Sequence, residues 1–391
     1  MMTSLYPSKP SVGAEELAMV QEVFDSSWLG LGSFVGRFES EIEKYIGGGI
    51  AVAVNTGTSA LHLALESIGV GKGDEVIVPS LTFCASVQAI TALGAKPVFC
   101  EVSCDDLCID VEDAASRISP RTKAIVPVHY CGIVSRMDEL LALKKIYGVR
   151  IVEDAAHAFG STYKDRPVGS FGDICCFSFD PIKNITCGEG GAIIVHDENH
   201  AELIRRKRVL GIDKDGWMRH TGEGRKEYDV TAQGFRYHMS NINAAIGLVQ
   251  IKKADEFRQK KVELVSQYNR RLSGLNGLAL LKWNLSENFP FAYVVRARGG
   301  HRDNLKKHLS KRGIHAGLNY IPNHMQSFFK GDSALPVTEQ LFKEIITLPL
   351  YCELEAEDVG YVINSIEEYF NGCDSEKTIL AAKEAVCDEQ T

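Results

Sequence analysis

The chain is 391 residues long, about the length of two average domains, and 45% of its residues are hydrophobic, enough to fill a sizeable core. Lys and Arg number 43 against 51 Asp and Glu, so the net charge is −8, which disfavours nucleic acid and anionic membranes as partners. No apolar run approaches the roughly 20 residues of a membrane span, and no charged-then-apolar leader begins the chain, so we expect a cytoplasmic protein.

The chain contains eleven cysteines, so disulfide bonds and a metal cluster have to be considered. In a chain of this length they are better explained as small buried thiols than as a disulfide framework. Cys100, Cys104 and Cys108 recur at four-residue intervals, and this spacing invites an iron–sulfur cluster as the alternative. These cysteines straddle a strand end and an acidic loop and lack a fourth ligand, so we expect no metal site.

The chain begins with two predicted helices joined by a loop that contains several glycines. Apolar residues at helical spacing predict one helix over 14–26 and a second over 38–46. In the loop, residues 28–36, the glycine spacing differs from that of a dinucleotide-binding fingerprint, and a helix rather than a strand precedes it. The loop therefore does not indicate a Rossmann site.

A strand, a short polar turn and a helix follow at residues 50–68. The turn contains Asn55, Thr58 and Ser59 and leads into the apolar period of the helix. Free backbone N–H groups at a helix N-terminus, with hydroxyl groups beside them, suit a phosphate. The alternative is ordinary capping of the helix by Thr58 or Ser59.

Strands and helices then alternate along the chain. Strands are predicted at 75–79, 97–99, 123–128 and 150–154, and helices at 85–93 and 138–147. This order predicts an α/β fold with a mostly parallel central sheet flanked by helices, in which sites lie beyond the carboxyl ends of the strands. Four side chains follow such strand ends, namely Phe83, His129, Asp154 and Lys183.

Lys183 lies between two apolar strands, 173–177 and 192–195, on a turn that ends in the glycine cluster 188–191. A buried ammonium group is costly, so a lysine in such a turn either has a partner or is neutral, and a neutral amine is a nucleophile that can form a Schiff base. The alternative is a hairpin turn whose lysine extends to solvent. Because Phe83, His129, Asp154 and Lys183 all follow strand ends, we favour the interpretation of Lys183 as a nucleophile.

The character of the chain changes after about residue 200, where it becomes charged and amphipathic. We expect a large domain over residues 1–250, with the N-terminal helical segment included, and a smaller C-terminal α/β domain over 251–391. The predicted elements here are helices at 200–209, from 240 to beyond 257 with Ser240 as its cap, and 358–370, and strands at 292–295 and 347–350. Residues 213–229 form a polar excursion, and for the polar tail 374–391 we expect a frayed helix.

Several ordered stretches together resemble one family. They are residues 55–61, 73–83, 153–158, 177–179, Lys183 with 188–191, 321–326 and 348–350. The chain resembles the pyridoxal-phosphate-dependent nucleotide-sugar aminotransferases of the DegT-like group, which have fold type I of the PLP enzymes, over about residues 5–370.

The resemblance implies a role for each matching residue. Lys183 would form the Schiff base with pyridoxal 5′-phosphate (PLP), and Asp154 would hold the pyridine nitrogen protonated. Phe83 would stack on the ring, and His157 would lie near its phenolic oxygen. The residues implied as donors to the cofactor phosphate are Thr58, Ser59 and Ser178.

The resemblance also implies a homodimer with shared active sites. Arg236 or Asn241 would approach the cofactor of the neighbouring chain, although Arg236 stands where the family commonly has asparagine. Substrate contacts are implied for Trp28, Tyr320 and His324. The implied reaction moves an amino group from L-glutamate to a keto group of a nucleotide-linked deoxysugar, as in deoxyaminosugar biosynthesis. The alternatives are a PLP-dependent sugar dehydratase, in which histidine replaces the lysine, and a PLP-binding regulatory protein without turnover.

Overall fold

A computed structural model describes residues 4–213, 228–331 and 333–388; most of the predicted polar excursion at 213–229 and the last part of the predicted tail therefore lie outside the described residues. The strands, in chain order, are β1 (Ile50–Val54), β2 (Glu75–Pro79), β3 (Lys96–Cys100), β4 (Thr122–Ile125), β5 (Arg150–Asp154), β6 (Thr162–Tyr163), β7 (Arg166–Pro167), β8 (Ile174–Ser178), β9 (Gly191–Val195), β10 (Leu278–Leu280), β11 (Tyr293–Ala297) and β12 (Ile345–Leu348).

Helices cover the strands and connect them. In chain order they are α1 (Ala14–Asp25), α2 (Ser33–Ile46), α3 (Gly57–Ser67), α4 (Cys84–Ala92), α5 (Val111–Ser116), α6 (Met137–Tyr147), α7 (Glu198–Lys207), α8 (Asn241–Gln250), α9 (Ala254–Leu272), α10 (Arg302–Ser310), α11 (Pro336–Phe342) and α12 (Ala356–Asp388). None of the helices in the described ranges is long and apolar enough to cross a membrane.

A seven-stranded sheet forms the centre of the molecule, with strand order β1-β9-β8-β5-β4-β2-β3. The pairs β5–β8, β4–β5, β2–β4 and β2–β3 are parallel, whereas β9 runs antiparallel to both of its neighbours. The predicted α/β fold with a mostly parallel central sheet is confirmed. β9 is antiparallel because the turn that carries Lys183 brings the chain straight back beside β8.

The central sheet is buried on both faces, as parallel sheets generally are. All five residues of β2 and all five of β8 are buried. One apolar cluster on α2, α6 and α8 includes the alternate residues Ile77 and Ile151, and a second on α3 and α4 includes their neighbours Val76 and Val152. The carboxyl ends of the parallel strands are therefore held rigidly at one edge of the sheet.

The C-terminal part of the chain has its own sheet, with the antiparallel order β10-β11-β12. It packs with α9, α10 and α12 around a separate apolar cluster that contains Tyr268, Tyr293 and Ile363. The division into two domains near residue 250 remains a prediction.

The ends of several predicted elements differ from the observed ones. The strand predicted over 123–128 is β4, which ends at Ile125. The long helix predicted from residue 240 is broken, because α8 ends at Gln250 and a single 3-10 turn, Ile251–Lys253, precedes α9. Its predicted cap is confirmed, since the Ser240 hydroxyl accepts the N–H of Asn243 at 3.2 Å. The last helix, predicted over 358–370, runs from Ala356 to Asp388 and so continues into the polar tail for which a frayed helix is predicted.

Candidate active site

A cavity of about 140 Å³ lies where β5 and β8 end. Its lining residues include Thr56, Gly57, Thr58, Thr82, Phe83, Asp154, His157, Ser178, Asp180, Lys183 and Glu189. A wider cleft of about 670 Å³ near the start of β5 is chemically less suited to a ligand, because its cations Lys144 and Arg150 already pair with Asp173 at 3.0 and 2.7 Å. The small cavity is therefore the candidate site, at the strand ends where the sequence predicts it.

The N-terminus of α3 forms one wall of the cavity. Its cap is Thr56, whose hydroxyl oxygen accepts the N–H of Ser59 at 3.0 Å, so the capping alternative named Thr58 or Ser59 wrongly. Thr58 is exposed at the cavity and Ser178 is buried beside it. A Cβ on Gly57 would lie 2.7 Å from that of Ser178, so only glycine lets the helix end and the strand end approach this closely. Free N–H groups and two hydroxyls therefore meet at one spot, which is suitable for a phosphate.

Lys183 has no carboxylate within ion-pair distance among the described residues. Its Nζ lies 4.5 Å from the centre of the Phe291 ring. Burial lowers the pKa of Lys183 below its ordinary value, although the negative charges of Asp180 and Asp154 oppose this shift. The lysine therefore has the properties of an amine nucleophile rather than those of a surface cation.

Asp154 ends β5 and points into the cavity, where it is almost fully buried. Its Oδ2 accepts the Ser86 hydroxyl at 2.6 Å, and its Oδ1 accepts the N–H of Ala156 at 3.1 Å. Burial raises the pKa of this carboxyl, whereas those two hydrogen bonds and the charge of Lys183 oppose the rise. A buried carboxylate held in this way stabilises a cationic group placed opposite it.

His157 is a buried, neutral imidazole on the same wall. Its ring stacks on Phe291 at 4.2 Å, and its Nδ1 accepts the N–H of Cys131 at 3.4 Å. Its proton is therefore on Nε2, which lies 3.0 Å from the Tyr320 hydroxyl and donates to it. Burial, and then the charge of Lys183, hold the pKa of His157 well below its ordinary value.

Phe83 lines the cavity, whereas Tyr320, an expected substrate contact, lies beside Phe83 and is not one of the lining residues. The Phe83 ring is 53% exposed although the residue follows a buried strand, and its centroid lies 5.5 Å from that of Tyr320. An aromatic face left open inside a cavity is suited to stacking on a planar ligand.

Three expected ligand contacts are placed elsewhere by the structure. The Ser59 hydroxyl donates to Asn55 at 2.7 Å, so it is already engaged. Asn241 is 1% exposed, and its side-chain amide donates to the Trp28 carbonyl at 3.0 Å and accepts the N–H of Val35 at 3.3 Å. Asn241 thus holds the 28–36 loop within its own chain, and its expected contact with a neighbouring chain stays a prediction. Trp28 itself donates from Nε1 to the Leu31 carbonyl at 2.7 Å and does not line the cavity.

Two further expected residues are also outside the cavity. His324 is buried, with Nδ1 2.7 Å from the Ser80 hydroxyl and Nε2 3.3 Å from Glu339, so both ring nitrogens are engaged within the chain. Arg236 is exposed and lies outside this cavity.

The strand-end residue His129 turns away from the cavity. Its Nε2 donates to Glu153 at 2.9 Å, and its Nδ1 accepts the N–H of Ser135 at 3.2 Å. Both side chains of the pair are fully buried. His129 and Glu153 form a structural pair beneath the site.

Sequence reasoning missed Phe291, Ser86 and Glu189. Phe291 reaches the cavity from more than 100 positions along the chain, and no spacing rule connects it to Lys183. Ser86 had a usable signal, because it lies on the helix that begins directly after Phe83. Glu189 was visible as the only non-glycine residue within 188–191.

The fold and this cavity define a class, the PLP-dependent enzymes of fold type I: a lysine nucleophile, a buried acid and a helix N-terminus meet at the ends of parallel strands. The chain belongs to the DegT/DnrJ/EryC1/StrS aminotransferase family, whose model matches residues 10–367. It is therefore an aminotransferase of the sugar-modifying kind and depends on PLP. The family resemblance drawn from the sequence is confirmed.

Solved structures support this assignment. The aminotransferase TlmJ of Streptoalloteichus hindustanus is 33% identical, with a TM-score of 0.89 over 95% of this chain and 100% of that one. The sugar aminotransferase CalS13 of Micromonospora echinospora is 29% identical, with a TM-score of 0.86 over 93% and 99%. Spr1654 of Streptococcus pneumoniae, solved in its PLP form, is 28% identical, with a TM-score of 0.87 over 95% and 99%.

Proposed function

We propose that the enzyme transfers an amino group from L-glutamate to a keto group of a nucleotide-linked deoxysugar. One observation carries the proposal: the Lys183 amine has a lowered pKa and shares one cavity with Asp154 and the N-terminus of α3. These are the three groups that a pyridoxal aldehyde, pyridine nitrogen and phosphate require.

The residues present fit PLP on structural grounds. The half-exposed Phe83 residue offers a stacking face, and Gly57 lets the start of α3 approach Ser178, so the helix N–H groups and the hydroxyls lie together for a phosphate. When bound, PLP withdraws electrons from the carbon that carries the amino group and so makes its proton acidic. We assign phosphate contacts to Thr58, Ser178 and the N–H groups that begin α3, and the ring nitrogen to Asp154.

The side chains of the cavity have different roles in the proton transfer. Lys183, as a neutral amine, would take the proton from the substrate carbon and hold it for its return. Asp154, whose carboxylate is held in place by Ser86 and Ala156, would keep the ring nitrogen protonated. His157 is neutral, so if its Nε2–H turned from the Tyr320 hydroxyl to the phenolic oxygen, it would polarise that oxygen without adding a charge.

A second copy of the chain completes the site in this proposal. The anionic cofactor, donor and nucleotide need cations, yet the cavity lining contains the carboxylates of Asp180 and Glu189 and the low-pKa amine of Lys183. Arg236 is exposed, and its neighbours Phe235 and Tyr237 stack on each other at 5.1 Å.

Those two rings are also anchored to the body of the protein. Phe235 and Tyr237 pack edge-on against His62 at 4.8 and 5.8 Å. The segment 235–237, in which Arg236 forms a β-bridge with Val209, therefore presents the Arg236 side chain to the outside. We assign this arginine to the anionic ligands in the site of a neighbouring subunit.

Two alternative functions are weaker. In the related sugar dehydratases histidine replaces the lysine, and Lys183 stands against that assignment. A regulatory protein without turnover needs the cofactor but not a nucleophile with a lowered pKa, nor a neutral histidine beside it.

The reaction is tested by mass spectrometry. The purified enzyme with PLP is incubated with isotope-labelled L-glutamate and a panel of keto sugars linked to dTDP, UDP and GDP. We expect labelled nitrogen in one aminosugar product. Labelled product from no member of the panel, with the glutamate half-reaction intact, would overturn the assigned acceptor.

Subunit sharing is tested by mixing two inactive variants, Lys183→Ala and Arg236→Ala. If each site takes its lysine from one chain and its arginine from the other, half of the dimers are mixed and each has one intact site. About a quarter of wild-type activity should then return. No recovery after verified subunit exchange would refute the sharing.

A further inference from the structure

Glu189 is the one carboxylate of the cavity whose oxygens none of the described residues engages. Asp154 accepts hydrogen bonds from Ser86 and Ala156, and Asp180 accepts the N–H of Ile182 at 3.1 Å. Glu189 is exposed at the cavity, and desolvation together with the nearby charge of Asp180 raises its pKa. A carboxylate left without donors in a ligand cavity has its hydrogen-bonding capacity free for the ligand.

The glycines around Glu189 fix where its side chain points. Gly188 has φ +76°, which favours glycine. A Cβ on Gly190 would lie 2.7 Å from the Met239 side chain, and one on Gly191 would lie 2.5 Å from the Thr56 carbonyl oxygen. Within residues 188–191 the glycine positions disfavour side chains, and the side chain of Glu189 lines the cavity with Lys183.

The charge of Glu189 distinguishes between the two substrates. The amino donor carries carboxylates, which a second carboxylate beside Asp180 repels. A sugar ring is neutral and offers hydroxyl groups, which donate short, charge-assisted hydrogen bonds to a carboxylate. Glu189 therefore suits the acceptor and opposes the donor.

We propose that Glu189 is a specificity residue that accepts a hydrogen bond from a hydroxyl next to the keto carbon of the acceptor sugar. The inference rests on the proposed function, because it names a feature of that acceptor. We place the hydroxyl close to the reacting carbon because Lys183, which has to reach that carbon, and Glu189 line the same cavity. The enzyme thus selects an α-hydroxy keto sugar over one that is deoxygenated at that position.

The test separates the two half-reactions in Glu189→Gln, which keeps the shape of the side chain and removes its charge. The half-reaction with L-glutamate is followed by the conversion of the cofactor from its pyridoxal to its pyridoxamine form. The reverse conversion is followed with the nucleotide-linked keto sugar that the mass-spectrometric panel identifies. We expect kcat/KM for the sugar to fall about tenfold, because a charge-assisted hydrogen bond is roughly twice as strong as a neutral one. The glutamate half-reaction should be unchanged or faster.

A binding measurement supplies a readout independent of turnover. The aminated sugar nucleotide and its analogue without the neighbouring hydroxyl are titrated calorimetrically into wild type and Glu189→Gln, both loaded with PLP. If Glu189 accepts that hydroxyl, the loss from the variant and the loss from the analogue should not add, because both remove the same contact. Glu357→Gln is the matched control, since it removes an exposed carboxylate on α12 with no role in the site.

Three outcomes would overturn the inference alone while the proposed function stands. Equal slowing of both half-reactions would indicate a structural role for Glu189. Slowing of the glutamate half-reaction only would indicate contact with the donor. Additive losses in the titrations would show that Glu189 and the hydroxyl do not share a contact. A wild-type enzyme that converts no keto sugar of the panel would overturn both the inference and the assigned acceptor.

Discussion

Changing Asp154 to Asn removes a charge from the centre of the cavity while leaving the shape of the side chain almost unchanged. The carboxylate is held by the Ser86 hydroxyl at 2.6 Å and the N–H of Ala156 at 3.1 Å, so its position does not depend on a ligand. The variant should therefore fold and bind PLP. It should lose the charge that keeps the ring nitrogen protonated, and proton abstraction should slow.

The size of the effect follows from the burial of the carboxylate. Asp154 is 4% exposed, so solvent screens its interaction with a facing cation only weakly. Removing one preorganised electrostatic partner of this kind costs about 10²-fold to 10³-fold in rate, or roughly 3–4 kcal/mol. Ser86→Ala keeps the charge and loses one hydrogen bond to it, which is worth about 1.5–3 kcal/mol at most, so its rate should lie between those of Asp154→Asn and wild type.

The assay is the half-reaction with L-glutamate in a stopped-flow spectrophotometer, which needs no knowledge of the sugar. The absorbance of the pyridoxal form should decay most slowly in Asp154→Asn, faster in Ser86→Ala and fastest in wild type. If Asp154→Asn retains PLP and reacts at nearly the wild-type rate, Asp154 is a structural residue and its assignment to the ring nitrogen is wrong.

Three further predictions concern the other walls of the cavity. Borohydride reduction of the PLP enzyme should place a pyridoxyl mass on the peptide that contains Lys183, and a mass on any other lysine would refute the nucleophile. Gly57→Ala should weaken PLP binding, measured by equilibrium dialysis, because its Cβ would lie 2.7 Å from that of Ser178; unchanged affinity would show that this approach is not needed. Below about pH 6.5 the unfolded chain binds a proton at His157, whereas the folded chain does not. The free energy of unfolding should therefore fall as the pH falls, by up to about 1.4 kcal/mol per pH unit from this residue. His157→Gln should flatten that part of the curve in thermal unfolding of the PLP-free protein between pH 7 and 5, and an equally steep curve would contradict the lowered pKa.

The part of the site that follows parallel strand ends was predictable from the sequence. Asp154 and Lys183 were found because apolar strands are easy to recognise and topology brings their carboxyl ends to one edge. His129 follows a strand end as well, yet its ring turns to Glu153. Strand position fixes where a backbone ends, but the local path of the chain decides which way the side chain points.

Long-range packing accounts for the other differences. The break between α8 and α9 has no glycine or proline to mark it, and Asn241 acts inside its own chain because the 28–36 loop lies against the start of α8. Phe291 contacts Lys183 and His157 from a segment outside the central sheet. Single-sequence patterns describe neighbours along the chain, and these contacts join residues that are far apart in it.

The aromatic segment at 289–291 has a consequence for the newly made protein. Phe291 donates its N–H to the Cys131 carbonyl at 2.8 Å, and Phe289 donates its own to the Ser161 hydroxyl at 2.8 Å, so this late segment closes the floor beneath a lysine made more than 100 residues earlier. During synthesis the central sheet can form first. We therefore expect the surroundings of the Lys183 amine, which include the Phe291 ring 4.5 Å away, to be complete only after residue 291 has left the ribosome.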